Sequence, residues 1–468
     1  MNWSGIHSFT SLLTSIALKI TGTAGAGFLQ GVNQSAKPDN ADTFAQRLYV
    51  DSTGTWSMTD INGTKTQIKA PTSDVAPSNT GTVTLANWLP VIQRLHARNV
   101  NTSVAAASYI HGAAVLSTSA YQGACYSPTQ NRLYLAPFGQ GIATATTWHY
   151  VDGNSGNIVA YTHGATTVAN FYGGARYSPT NNRIYFIPYS PGGGLSWHYV
   201  DCNSGAVVAY SNGIAASVAD SGHIGSVYSP TQDRIYFVPN GQSNQSQWVY
   251  INCATGAPTL YSHGVTVVAS AYAGGAHSPT QNRIYLAPFV QSTATQWHYI
   301  DCATGNVVAY SHGVTSSRYY GAAYSPTQNR IYFAPYIQAT ATQWHYVDCA
   351  TGSIVAYSHG VTAVSSAYAG AVYHPAHNRI YFVPNTQGTA TQWHYVDCTT
   401  GSVVAYSHGL TGLDGGTRGG AFLPSLNRIY LAPNALGNTA AWHYIGGTGD
   451  TYGLTPSMFG STILSSTY

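Results

Sequence analysis

The sequence predicts an all-β fold: a seven-bladed β-propeller with four strands per blade, preceded by a small N-terminal region of β-hairpins and a helix. Two repeated motifs support this prediction. An arginine that opens motifs such as "RIYFAP" recurs at 132, 183, 234, 283, 330, 379 and 428, spaced 47 to 51 residues apart. A tryptophan recurs in step at 148, 197, 248, 297, 344, 393 and 442. A period of about 50 residues with short β-branched and aromatic runs is typical of propeller blades.

Each repeat is predicted to form strands A to D, from the centre of the ring outwards. In the fifth repeat these are "YGAAYSP", "RIYFAP", "QWHYVDC" and "SIVAYSHG", with the turns "SPTQN" between A and B and "CATGS" between C and D. The D-strand motif Y-x-H-G also occurs at Tyr109, before the first complete repeat, and has no counterpart after Trp442. We therefore expect about residues 103 to 111 to complete the last blade, which removes an open sheet edge.

Four segments follow from these patterns. Residues 1–70 form an N-terminal β region, residues 71–102 a linker with a short helix near 85–98, residues 103–446 the propeller, and residues 447–468 a tail. Within the first segment, "RLYVDSTGTWSMTDINGTKTQI" predicts three short strands joined by turns at 52–54 and 62–63. The apolar run at 6–20 is too short and too polar to cross a membrane, so we expect no membrane insertion.

The hairpin of strands B and C predicts a repeated ion pair. A register that pairs Pro188 with Ser196 places Arg183 opposite Asp201 on one face of the sheet. The same register predicts cross-strand pairs in five blades, Arg132 with Asp152, Arg183 with Asp201, Arg283 with Asp301, Arg330 with Asp348 and Arg379 with Asp397. Asn252 and Gly446 occupy the aspartate position in the third and seventh blades.

Charge is sparse and argues against nucleic acid as a partner. Charged residues are 7% of the chain, there is no glutamate, the lysines all precede residue 70, and the net charge is +3. A protein that binds phosphate backbones needs a clustered basic surface, which this sequence does not offer.

Catalysis and metal binding are also not expected. His345, Asp348 and Cys349 lie close in sequence, but on an alternating strand the histidine and cysteine share one face while the aspartate lies on the other. Their equivalents recur in most blades, which indicates scaffold. Glycoside hydrolysis needs two carboxylates beside one bond, and the loop aspartates Asp220 and Asp414 should lie on nearly opposite sides of the ring. We expect no enzyme activity, metal or cofactor.

The repeated cysteines and histidines are expected to fill the core and the turns. Five cysteines occupy one equivalent position, too far apart between blades for disulfides, and should be free and buried: Cys202, Cys253, Cys302, Cys349 and Cys398. The histidines of strand C and of the Y-x-H-G turns match no usual metal-ligand spacing. Packing and turn hydrogen bonds are the expected roles.

Variation among the copies is concentrated in the B–C and D–A loops, whereas "SPTQNR" and "DCATG" barely change. Loops on a rigid scaffold commonly carry binding residues. The predicted binding residues on this face are Tyr121, Phe171, Tyr172, Tyr272, Arg318, Tyr319, Tyr320, Tyr368 and Arg418. Drift in unconstrained loops would produce the same variation, and this alternative stays open here.

The N-terminal segments "GAGFLQ", "NQSAKP" and "RLYVDSTG", followed by "NGT", resemble the attachment segment of tailed-bacteriophage fibre and virion appendage proteins. The resemblance covers about residues 20 to 70. It implies a structural protein of a virus particle, assembled in the host cytoplasm, in which residues 1–70 bind other virion proteins and form homo-oligomers, in particular a homotrimer.

The resemblance also implies that the propeller faces outward and binds a host-surface glycan or protein. Two alternatives remain at this point. The chain would be a purely structural decoration of the capsid or tail, or a non-viral lectin-like or scaffold propeller.

Overall fold

The computed structural model describes three short strands of the N-terminal part and most of the propeller. The described residues are 47–50, 56–59, 65–67, 104–110, 119–139, 146–165, 171–190, 196–214, 222–241, 245–266, 270–291, 294–314, 318–338, 341–362, 364–387, 390–410, 416–435 and 441–447. The helix predicted near 85–98, the rest of the predicted linker and the predicted tail beyond residue 447 lie outside these residues.

The N-terminal strands form a three-stranded antiparallel sheet by themselves. Strand β1 is Arg47–Val50, β2 is Trp56–Thr59 and β3 is Lys65–Gln67, with β2 in the centre. The register places Arg47 opposite Thr59. These are the three strands that the sequence predicts.

The other strands form seven four-stranded antiparallel sheets arranged in a ring, which confirms the seven-bladed propeller. Strands A to D of blade one are β5 Tyr121–Ser127, β6 Arg132–Pro137, β7 Thr147–Asp152 and β8 Ile158–Thr162. Those of blade two are β9 Tyr172–Ser178, β10 Arg183–Pro188, β11 Ser196–Asp201 and β12 Val207–Ser211. Those of blade three are β13 His223–Ser229, β14 Arg234–Pro239, β15 Gln247–Asn252 and β16 Ala257–Ser262.

Blades four to seven follow the same order. Blade four is β17 Tyr272–Ser278, β18 Arg283–Pro288, β19 Gln296–Asp301 and β20 Val307–Ser311. Blade five is β21 Tyr319–Ser325, β22 Arg330–Pro335, β23 Gln343–Asp348 and β24 Ile354–Ser358. Blade six is β25 Tyr368–His374, β26 Arg379–Pro384, β27 Gln392–Asp397 and β28 Val403–Ser407. Blade seven begins with β29 Thr417–Leu423, β30 Arg428–Pro433 and β31 Ala441–Gly447.

The fourth strand of blade seven comes from the start of the propeller. Strand β4, Val104–Ile110, pairs with β31 along its whole length, from Ala441 opposite Ile110 to Gly447 opposite Val104. The predicted closure of the ring by an N-terminal strand is therefore confirmed. In the part of the chain that the structure describes, no helix has the length and hydropathy to cross a membrane.

The core lies between blades and is built from the repeated aromatic residues. The seven strand-C tryptophans are completely buried. In blade five, the turn histidine His359 stacks on Trp344 with ring centroids 4.1 Å apart, and its Nε2 lies 2.6 Å from the backbone oxygen of Ala341. The same stacking recurs at Trp148, Trp248, Trp297 and Trp393. These turn histidines thus hold packing and hydrogen-bonding roles, as expected.

The predicted register of strands B and C is confirmed, but the side chains of the arginine and the aspartate have other close partners. Arg330 lies opposite Asp348, and its guanidinium carbon lies 4.4 Å from the centre of the Tyr346 ring. Asp348 Oδ1 accepts backbone N–H groups of Ala350 at 2.9 Å and of Thr351 at 3.1 Å. The arginine therefore forms a cation–π contact, while the aspartate caps the C–D turn.

The two blades without an aspartate show which partner fixes the arginine. Arg234 lies over Tyr250 at 4.3 Å and Arg428 over Tyr444 at 4.2 Å, although Asn252 and a glycine stand opposite them. The distance in the five other blades is 4.2 to 4.4 Å. Because the geometry is the same without the aspartate, the tyrosine ring positions the arginine. The five predicted ion pairs, Arg132–Asp152, Arg183–Asp201, Arg283–Asp301, Arg330–Asp348 and Arg379–Asp397, are correct as cross-strand neighbours.

The aspartate still acts on the arginine through its charge. Burial lowers the pKa of Arg330, whereas a hydrogen bond to Tyr332 and the charge interactions with tyrosines and Asp348 raise it, with a net increase. The arginine also reaches the next blade, since a Cβ built on Gly401 of blade six would lie 3.3 Å from its Nη1. The same contact closes the ring, where Arg428 of blade seven approaches Gly156 of blade one. This role between blades was not predicted.

A ring of seven glycines surrounds the axis of the propeller. The third residue of every strand A is a glycine at positive φ, and a register shift accompanies it in each blade. A Cβ built on any of them would meet the Cα of the next, at 2.7 to 3.5 Å. Glycine is needed because both the space and the backbone conformation exclude a side chain. This glycine ring consists of Gly123, Gly174, Gly225, Gly274, Gly321, Gly370 and Gly419.

Candidate binding site in the central channel

Most of the predicted binding residues belong to the core. Phe171 is 2% exposed, and five predicted tyrosines, the first residues of strand A in their blades, are completely buried: Tyr121, Tyr172, Tyr272, Tyr319 and Tyr368. Each hydroxyl bonds to Nδ1 of the strand-C histidine in its own blade, for example Tyr319 to His345 at 2.6 Å. The prediction that these six residues face a ligand is wrong, because the start of strand A points between the blades and not to the rim.

Three predicted residues remain accessible, and two of them meet at the axis. Arg318 is exposed at the D–A end of blade five. Tyr320 and Arg418 are half-buried and both line the central channel, as the second residues of strand A in blades five and seven. Burial raises the pKa of Tyr320 to about 12, and the nearby charge of Arg418 opposes this increase.

The central channel contains a cavity of about 150 Å³ that strand A of every blade lines. Most of its wall is glycine and alanine, so a few larger side chains determine its chemistry. These are Gln122, Arg176, Ile224, Ser226, Tyr320 and Arg418. Two of them are guanidinium groups, and none of the lining residues, all of which the structure describes, carries a carboxylate.

The polar side chains stand mainly on one side of the channel. Arg418, Gln122, Arg176 and Ser226 belong to blades seven, one, two and three, which are consecutive in the ring. Gln122 Nε2 donates to the Tyr320 hydroxyl of blade five at 2.8 Å. Because blades one and five are not neighbours, this hydrogen bond crosses the channel.

Three buried polar atoms of the lining residues lack a hydrogen-bond partner within the described part of the chain. They are Oε1 of Gln122, Nε of Arg176 and Oγ of Ser226. Gln122 is 4% exposed and Ser226 3% exposed. Arg176 donates one hydrogen bond, to the backbone oxygen of Ser226, and burial lowers its pKa. Unpaired buried polar atoms also occur elsewhere in the propeller, for example Nε1 of Trp148 and Trp344, and a bound molecule or an ordered water can complete those at the channel.

An aromatic cluster lies beside this cavity, at the end that carries the B–C and D–A loops. The rings of Phe289, Tyr320 and Tyr336 are within 5.5 to 5.6 Å of one another, and all three side chains are half-buried. A second pair, Phe138 and Tyr189, has its centroids 5.6 Å apart. We call Phe289, Tyr320 and Tyr336 the aromatic cluster.

Comparison of the seven blade sequences shows a pattern that indicates this cluster. This pattern was missed because the variable loops were considered as a whole. The residue after the strand-B proline is aromatic in blades one, two, four and five and asparagine in the other three. Asn240 and Asn434 donate from Nδ2 to the backbone oxygens of Tyr272 and Tyr121, at 2.8 and 3.0 Å. These two asparagines therefore tie neighbouring blades together, whereas Tyr189, Phe289 and Tyr336 supply an accessible surface.

The cysteines and histidines that were considered for catalysis or metal binding have structural roles in the propeller. The five cysteines predicted to be free and buried are so, as is Cys125, and burial raises the pKa of the Cys349 thiol to about 11. Five strand-C histidines share their Nδ1 atoms with tyrosine hydroxyls, and burial lowers the pKa of one of them, His394, to about 4. No group of three His, Cys, Asp or Glu side chains within the described ranges could hold a metal ion. Asp220 and Asp414 lie outside those ranges.

Comparisons with known proteins establish the fold and nothing more specific. No protein-family model and no curated protein sequence matches the chain. Among solved structures, the chain is similar to the Kuenenia stuttgartiensis hydrazine synthase, with a TM-score of 0.51 and 13% identity over 73% of this chain and 99% of that one. It is also similar to a chain of a mitotic checkpoint complex, with a TM-score of 0.50 and 10% identity over 82% of this chain and 99% of that one. At these identities, the likeness shows the β-propeller fold alone.

Proposed function

We propose that the chain is a non-enzymatic virion protein, a tail or head fibre or decoration protein, whose propeller binds a host-surface glycan or protein. The observation that carries the binding part is the half-buried aromatic cluster beside the channel. Aromatic rings present flat apolar faces, and the two tyrosines add hydroxyl groups, which suits sugar rings and protein surfaces alike.

The contrast between the two rims supports this choice of face. On the rim of the A–B turns, Thr129 Oγ1 donates to Asn182 of the next blade at 2.8 Å, and Thr327 to Asn378 at 2.7 Å. Equivalent bonds link three further neighbouring pairs. These side chains are committed to holding the ring, whereas the aromatic cluster lies among loops that vary from copy to copy.

The virion part of the proposal rests on the resemblance of residues 20 to 70 to fibre attachment segments. It includes binding of residues 1–70 to other virion proteins and assembly as a homo-oligomer, in particular a homotrimer. Detection of the chain in purified virus particles by mass spectrometry is the direct test. Light scattering of the purified protein tests the trimer, for which a mass of three chains is expected.

The binding part is tested with the full chain on host cells and on a broad glycan panel. The double variant Phe289→Ala/Tyr336→Ala should bind at least about tenfold more weakly, because two stacking surfaces are lost. Asn306→Ala is the matched control, since Asn306 is exposed on a C–D turn of the opposite rim. Equal binding by the double variant and the control would contradict the proposed face.

Two outcomes would favour the alternatives. If the chain is a purely structural decoration, virus particles that lack it should be unstable but should still adsorb to cells. A chain that binds glycans but is absent from virus particles is a lectin-like or scaffold propeller of non-viral origin.

A further inference from the structure

We infer that the central channel binds a small hydroxylated organic anion, whose carboxylate contacts Arg176 and Arg418 and whose hydroxyl group donates to Gln122. The chemical class is that of a sugar acid. This inference concerns the channel, which shares only Tyr320 with the aromatic cluster, and it holds whether the chain is a virion protein or not.

The charge of the cavity selects an anion. Arg176 and Arg418 both line it, on blades two and seven, with only blade one between them. No carboxylate stands among the lining residues to balance these two guanidinium groups. The ionisable group that acts on Arg176 is Cys125, and burial raises the pKa of this thiol to about 11, so it is neutral at pH 7. A buried cation without a counter-ion is costly, and a bound anion removes that cost.

Arginine also favours a planar anion. A guanidinium presents several N–H groups in one plane, which matches the two oxygens of a carboxylate. Arg176 uses one terminal nitrogen for the Ser226 backbone oxygen and leaves Nε without a partner in the described structure. The Nε–H group is thus available to one carboxylate oxygen.

A second observation favours an organic anion with a hydrogen-bond donor over a simple inorganic anion. Gln122 Oε1 is buried and accepts no hydrogen bond in the described structure, because Gln122 Nε2 is the atom that contacts Tyr320. A carbonyl oxygen needs a donor, and neither a carboxylate nor a sulfate offers one at pH 7. A ligand that carries an O–H or N–H group beside its negative charge would supply that donor. Ser226 Oγ, also without a partner there, can donate or accept.

The rest of the cavity orients such a ligand. Opposite the polar blades, small residues such as Ala273 and Ala369 flank Tyr320 of blade five, and Ile224 lies on blade three. The apolar face of a sugar ring can lie against these alanines while its polar edge meets Arg418, Gln122 and Arg176. The volume of about 150 Å³ suits a ligand group of about one ring.

The test uses isothermal titration calorimetry of the full chain at pH 7 with glucuronate, glucose and sulfate. Glucuronate and glucose share a ring and differ in the carboxylate, so we expect glucuronate to bind at least about tenfold more tightly. Sulfate should bind more weakly than glucuronate and should compete with it. Raising the salt concentration should weaken glucuronate binding but not any glucose binding. Glucuronate binding that is no tighter than glucose binding would overturn the inference.

Variants locate the site. Arg418→Gln should lower the affinity for glucuronate at least about tenfold, since one charge-assisted contact is lost. Arg318→Gln is the matched control, because it removes the same charge from an exposed residue that does not line the channel. Equal effects of the two substitutions would refute the assignment to the channel. Thermal unfolding of both variants shows whether either substitution disrupts the fold. If it does, the inference is tested instead by sulfate competition and by the salt dependence of glucuronate binding to the native chain.

A further experiment distinguishes two sources of the ligand, the acidic end of a glycan chain and a small soluble acid. An oligosaccharide that ends in glucuronate is compared with free glucuronate. Binding of both means that the channel accepts the acidic end of a glycan chain, and binding of the free acid alone means a small soluble ligand. If neither free glucuronate nor the oligosaccharide binds, the inference is overturned. Binding by the aromatic cluster is then still tested by its own variants.

Discussion

The buried strand-C histidines should make the folded propeller sensitive to acid. Burial lowers the pKa of His198, His298, His394 and His443 to about 4, while an unfolded histidine has a pKa near about 6.5. The folded state therefore keeps the neutral form, and the unfolded chain binds more protons between these two values. Stability is fully present above about pH 6.5 and is lost as the pH falls towards about 4.

The size of this loss follows from the difference in pKa. His394 is 3% exposed, and at pH 5 its linkage lowers the free energy of unfolding by about 2 kcal/mol. The four histidines together amount to about 8 kcal/mol, which is within the range of the total stability of many proteins, about 5–15 kcal/mol. His345 has the same direction of shift but is half-buried, so we expect a smaller contribution from it.

Urea unfolding followed by tryptophan fluorescence at several pH values between 7.5 and about 5 measures this effect. His394→Gln keeps a hydrogen-bond acceptor for Tyr368 but does not titrate, so it should reduce the pH slope by about one proton. Tyr368→Phe is the control, because it removes the hydroxyl partner and leaves the histidine buried; its slope should equal that of the native chain. A free energy of unfolding that stays constant from pH 7 to about 5 would refute the reasoning.

Three further predictions concern the scaffold. Asp348→Asn should lower the free energy of unfolding in urea by less than about 1 kcal/mol, because Asn252 caps the same turn in blade three. Arg330→Ala should lower it by about 1–2 kcal/mol, because the cation–π contact is lost. Gly274→Ala should cost at least about 2 kcal/mol by the same measurement, since its φ is +85° and the added Cβ would lie 2.7 Å from the next glycine of the ring. The buried indole N–H of Trp344 has no partner in the described structure, and a high-resolution crystal structure should show an ordered water there.

Much of the fold could be predicted because the sequence repeats it. Seven copies fix the number of blades, and the displaced motif at Tyr109 identifies the strand that closes the ring. The register of Arg183 opposite Asp201 follows from the alternation of a hairpin. Their side-chain contacts could not be predicted in the same way. The register shows which residues are neighbours, but it does not determine which neighbour each side chain contacts.

The candidate site was only partly predictable, for two physical reasons. The first residue of strand A was assigned to a loop, although Tyr172, Tyr272, Tyr319 and Tyr368 each precede their histidine partner by 26 residues. That repetition indicates scaffold, as it does for His345, Asp348 and Cys349. Arg176, in contrast, occurs once among seven equivalent positions, and only the closed ring brings it to the same cavity as Arg418.

The pairing of β4 with β31 has a consequence for the order of events during synthesis. Blades one to six each consist of consecutive strands, so each can fold soon after its own strand D leaves the ribosome. Blade seven joins the first strand of the propeller to the last, and β4 must wait, with its edge unpaired, until β31 has been made. Closure of the ring is therefore the last step of folding that the topology allows, and a chain interrupted before residue 441 keeps an open edge at both ends.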